Sequence, residues 1–169
     1  MIPVTKKITQ KTILQKIIGM ITSPTETLQS VFTESLNETL IFLAVLSIIQ
    51  LVTSVLLNLE YLAEFYQIFG NWVTGVLMLF VMTGVFHVFV MILKKGTNLG
   101  SYFNTLRIVI YANVIFALFG WIPFIAIIAT LWFIYLLVKG FSLHYQISKK
   151  RALAIVALPY LIFILLSFI

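Results

Sequence analysis

Few side chains in this sequence could do chemistry. His87 stands in a long apolar stretch a few residues before Lys94, with Thr83 one helical turn earlier. An ionisable group at such a place is a candidate proton carrier or ligand-binding group; it also fits an interfacial histidine hydrogen-bonded to a neighbouring helix. Asn104, Arg107 and Tyr111 recur at spacings of three and four, so a helix would put them on one face, and Asn113 follows closely. A stripe of this kind could line a polar cavity, hold a lipid phosphate through Arg107, or tie helices together. Gly140, Phe141 and Ser142 with His144 invite comparison with the nucleophile turn of serine hydrolases. The second glycine of that turn is missing, His144 is two residues from the serine, and the chain has no aspartate to orient it. Gly140 and Ser142 are therefore expected as turn residues.

Metal chemistry finds little support in two histidines without cysteine, aspartate or a paired-histidine motif. No catalytic residue, metal or cofactor is expected, and an intramembrane aspartyl protease is excluded. The absence of cysteine also rules out disulfides.

The elements that must position these residues are set by hydropathy. Of 169 residues 62% are hydrophobic and 9% charged, too apolar a chain for a water-soluble domain. The net charge of +6 sits beside apolar runs rather than among exposed aromatics, so it reads as a topology signal and not as a nucleic-acid surface. Residues 1–37 are mixed, with Lys6, Lys7, Lys11 and Lys16 punctuating isoleucines at helical spacing, and the segment lacks the layout of a cleaved secretory signal. Ser23, Pro24 and Glu26 read as a capped helix start. Leu28, Val31, Phe32 and Leu36 opposite Glu34 and Glu38 then read as an interfacial helix, or one packed on the bundle.

Residues 38–169 form the membrane domain. Leu40 to Leu57 makes a first span and a second runs to Leu93, after a linker carrying Glu60 and Glu64. Ile108 to Val138 is broken at Gly120–Pro123 into a hairpin, which either crosses fully, with Arg107 snorkelling to the headgroups, or re-enters. The polar segment Lys139 to Arg151 precedes a last span, Ala152 to Ile169. Five crossings put every basic residue on one side, which the positive-inside rule makes cytoplasmic. The N-terminus is then cytoplasmic and the C-terminus opposite, in a multi-pass protein of the cell membrane.

The sequence resembles the Yip family, the Ypt-interacting proteins with the Yip-one domain. ITSPTETLQSV (Ile21–Val31) is similar to the family's opening segment. KKGTNLGSYFNTLRIVIYAN (Lys94–Asn113), after His87, is similar to its central loop and helix. A helix containing Trp132, followed by GFSLHYQISKKRALAIVALP (Gly140–Pro159), is similar to its entry to the final span, a polar loop with a histidine. The resemblance implies a five-helix bundle that self-associates, with small GTPases and vesicle traffic as the associations of eukaryotic members. The acidic DLYGP element of those members is missing, as the chain has no aspartate, and the expectation is a prokaryotic-type member. The function expected is a non-enzymatic scaffold or membrane-organising protein. Its expected partners are other copies of itself or other membrane proteins, and anionic headgroups at its basic face. The alternative is a small transporter or channel whose polar path runs through His87 and the Asn104, Arg107, Tyr111 stripe.

Overall fold

The computed structural model describes residues 12–57, 65–94 and 100–166, and every element among them is a helix. In chain order these are α1 (Ile13–Thr22), α2 (Pro24–Val31), α3 (Leu36–Leu57), α4 (Phe65–Leu93), α5 (Tyr102–Ala112), α6 (Val114–Phe119), α7 (Pro123–Tyr145) and α8 (Lys149–Leu166). Lys6, Lys7, Lys11, Glu60, Glu64 and Lys95 lie outside the described residues.

Capping chemistry sets the helix starts. At α1 the Gln15 N–H donates to the Thr12 hydroxyl, and the Thr12 N–H donates to Gln15 Oε1 at 2.9 Å. Ser35 and Glu38 make the same reciprocal arrangement, the Ser35 N–H reaching Glu38 Oε2 at 2.7 Å. That box starts α3 at Leu36 rather than Leu40, and it ends the expectation of an interfacial helix continuing through Leu36, because α2 stops at Val31. Ser23 differs from expectation too. Pro24 opens α2, but the Ser23 side chain makes no capping bond. Its backbone joins the two helices instead: its N–H donates to Gly19 O at 2.9 Å, closing α1, and its carbonyl accepts from the Thr27 N–H at 3.1 Å.

Among the described residues four helical segments are long and apolar enough to cross a membrane: α3, α4, α5 running into α6, and α7. At 1.5 Å per residue the 18 residues Tyr102–Phe119 extend about 27 Å, close to a hydrocarbon core of about 30 Å. Several hydroxyls in these spans bond within their own helix. Ser47 donates to Leu43 O, Thr53 to Ile49 O, Thr83 to Leu79 O and Thr130 to Ala126 O, so a hydroxyl costs little in lipid.

The α5–α6 span lies at the centre, 61% buried, whereas α4 is 17% buried and presents most of its surface outward. Around α5 and α6 pack α3, α4 and α7, with α8 against α4 and α7. Tyr111, Phe42, Phe86 and Phe141 are fully buried, and the Phe42 and Tyr111 rings stack at 4.3 Å. Gly140 is not the expected turn residue, since α7 continues through it to Tyr145. A Cβ there would lie 2.6 Å from Ile108 Cγ2, so the glycine lets α5 and α7 approach closely. The segment read as a polar loop is thus mostly helix, and the turn begins at Gln146 in the left-handed conformation (φ 54°).

Candidate functional site

The polar residues gather at the basic end of the bundle, where α3, α5 and α8 begin and α4 and α7 end. Arg107 stands on α5, 8% exposed, and points inward instead of to the headgroups. Its Nη1 donates to Phe32 O at 3.1 Å and to Asn104 Oδ1 at 3.4 Å, its Nη2 to Glu34 O at 2.6 Å, and its Nε to Thr39 Oγ1 at 3.4 Å. A planar fork with fixed donors suits two carbonyls of an irregular segment. Those carbonyls belong to the link between α2 and α3.

One turn deeper, Tyr111 donates its hydroxyl to Glu34 Oε2. The other carboxylate oxygen, Oε1, lies 2.8 Å from Lys16 Nζ of α1, and both side chains are under 8% exposed. Lys16 also donates to the Tyr111 hydroxyl at 3.5 Å. Two cations are thereby buried with a single anion, Lys16 on the carboxylate of Glu34 and Arg107 on its backbone carbonyl, joining α1, the α2–α3 link and α5. On α1 this inverts the usual arrangement: Lys16 faces the bundle while Leu14, Ile18 and Ile21 are exposed. Trp132 of α7 adds a bond from Nε1 to Met20 O at 3.3 Å, and Gly19 makes room for Thr27 where α1 crosses α2.

A second polar chain runs alongside. His87 Nδ1 lies 2.9 Å from Thr105 Oγ1, which lies 2.7 Å from the Tyr145 hydroxyl, and Lys94 Nζ sits 5.2 Å from the centre of the Tyr145 ring. Tyr102 meets the His87 ring edge-on and donates its hydroxyl to Phe80 O at 3.0 Å. His144, in the last turn of α7 and not in a loop, packs its ring 4.7 Å from Phe32. Asn113 belongs to neither group; it joins α5 to α6 further along the span.

The structure therefore brings Asn104, Arg107 and Tyr111 together, and puts His87 in the neighbouring chain. Lys16, Glu34, Thr39, Thr105 and Tyr145 complete the two groups and were not candidates in the sequence. Among the described residues no group of three histidine, cysteine, aspartate or glutamate side chains could hold a metal.

An all-helical bundle of apolar spans with its charges collected at one end is a multi-pass membrane protein. The family model described as the Yip1 domain matches residues 18–169, and the chain belongs to that family. The match takes in Glu34, Arg107 and Tyr111 and starts two residues after Lys16. No curated protein and no solved structure matches the chain.

Proposed function

We propose that the protein is a non-enzymatic, self-associating scaffold of the cell membrane, with five spans, a cytoplasmic N-terminus and a C-terminus on the opposite side. The fifth span is α8. Its described apolar part, Ala152 to Leu166, covers about 22 Å after three basic residues, and the sequence stays uncharged to Ile169. The observation that carries the scaffold reading is the closure of the Lys16, Glu34, Arg107, Tyr111 network. These groups bond to one another and to backbone carbonyls, which is what a structural clamp does. Self-association draws support from α4, the least covered span, where a Cβ at Gly70 or Gly84 would meet nothing within 4 Å. The excess of one positive charge in the buried cluster, with Lys94, Lys139, Lys149, Lys150 and Arg151 near the same end, favours anionic headgroups there.

The run from His87 through Thr105 to Tyr145 favours a second reading, proton or solute transport. Purified protein in liposomes separates the two. The scaffold reading expects ion and small-solute flux no greater than in empty liposomes, unchanged in His87→Ala and Arg107→Ala. Flux that either substitution abolishes would establish transport in its place.

A further inference from the structure

Away from the polar end, α3, α4, α6, α7 and α8 do not close on one another, and a cleft of about 310 Å³ lies between them. Its level follows from the helices. Gln50, Asn113 and Tyr160 line it, and each lies about 16–21 Å from the start of its helical segment, well inside a hydrocarbon core of about 30 Å. Met78 and Phe116 at its rim are 54% and 40% exposed, so the cleft opens sideways into lipid.

The lining selects the chemistry of an occupant. It contains no Lys, Arg, His, Asp or Glu, which disfavours an ionised ligand at this depth. Phe86, Phe133 and Tyr160 supply aromatic faces. Among the described residues, the side-chain amides of Gln50 and Asn113 and the hydroxyl of Tyr160 have no hydrogen-bond partner, and all three residues line the cleft. The Thr130 hydroxyl already donates to Ala126 O at 2.7 Å, so towards the cleft it only accepts. The two amides and the Tyr160 hydroxyl thus keep five N–H and O–H donors open beside their oxygen acceptors, in apolar surroundings that favour a ligand able to use them. Gly75 leaves part of the space: a Cβ there would meet nothing within 4 Å, although glycine within a helix costs about 0.5–1 kcal/mol relative to alanine.

We propose that this cleft binds an uncharged, membrane-dissolved molecule that presents carbonyl oxygens on a flat or slender apolar body, the chemistry shared by isoprenoid quinones and diacylglycerols. The carbonyl oxygens accept from Gln50, Asn113 and Tyr160, and the apolar body lies against the aromatic rings. The volume is at the low end of ligand pockets, about 300–1,000 Å³, so it takes a head or one chain and leaves the remainder in the bilayer. The site is independent of the scaffold reading.

The test uses the full chain in phosphatidylcholine nanodiscs, titrated separately with decylubiquinone and with dioctanoylglycerol. Probe per disc is quantified by mass spectrometry against empty discs. The expected result is saturable binding of one probe, which identifies the source of the carbonyl. Gly75→Leu should abolish it by filling the cleft, and the Gln50→Leu, Asn113→Leu pair should weaken it at least about tenfold while thermal unfolding stays near wild type. Should Gly75→Leu fail to fold, the amide pair decides alone. Equal partitioning of both probes into loaded and empty discs, or saturable binding untouched by these substitutions, would overturn the proposal.

Discussion

Taking Lys16 and Glu34 out of water costs several kcal/mol per ion, and only close pairing with further hydrogen bonds offsets it. Tyr111 and the geometry at 2.8 Å supply both. Lys16→Met leaves the carboxylate buried with one neutral partner, so the expected loss of stability in detergent unfolding is about 3–5 kcal/mol. Lys16→Met combined with Glu34→Gln should lose clearly less than the sum of the single changes, since no unpaired charge remains. Additive losses would show that the two residues act apart. Arg107→Lys is expected to behave like a truncation, losing about 1.5–3 kcal/mol, because an ammonium cannot span the carbonyls of Phe32 and Glu34 together. The spacing of Asn104, Arg107 and Tyr111 made this half of the cluster legible in the sequence. Lys16 and Glu34 were hidden for a physical reason. Arg107 and Glu34 are 73 positions apart, and each of the two hidden residues stands beside apolar neighbours in a pattern that suits a wetted helix face equally well. Only the inverted docking of α1 turns Lys16 inward.

Helices crossing at glycines separate packing from mere exposure. Gly140→Leu drives a side chain into Ile108, and the expected cost is about 1–3 kcal/mol or more, with loosening of α5 against α7. A Cβ at Gly84 on α4 meets nothing within 4 Å, and Gly84→Leu should leave the monomer's stability within about 0.5 kcal/mol of wild type. Equal effects at the two positions would contradict the close approach of α5 and α7. The long helices were readable because a bilayer demands uninterrupted apolar length, as Leu40 to Leu57 shows within α3. Their ends were less so. Ser35 and Glu38 start α3 four residues early by a reciprocal cap, and α7 runs past Lys139, Gly140 and Ser142 because tertiary packing against Ile108 outweighs their turn character. A glycine that serves a helix crossing cannot be told by composition from one that serves a turn.

At the scale of the whole molecule, a multi-pass membrane protein, all-helical architecture in the described residues and family membership agree, and among those residues four spans are long and apolar enough by themselves. The proposed fifth depends on α8, whose basic start shortens its apolar part. The cysteine-free chain suits site-directed labelling in sealed vesicles. Ser148→Cys should react with an impermeant maleimide only from the cytoplasmic side, and Ser167→Cys only from the other. Both reacting from one side would reduce the bundle to an even number of crossings. Under the proposed scaffold reading, the outward surface of α4, the least covered of the four spans, is the face to test for contact with a second copy. Self-association in a bilayer is therefore the most direct measurement. Dye-labelled protein is diluted over a wide range of protein-to-lipid ratio in liposomes, and copies per vesicle are counted by single-molecule photobleaching. The scaffold reading predicts a reversible shift from single copies to dimers or larger assemblies as density rises, weakened by Gly70→Leu with Gly84→Leu on α4. Counts that follow random co-capture at every density would contradict it.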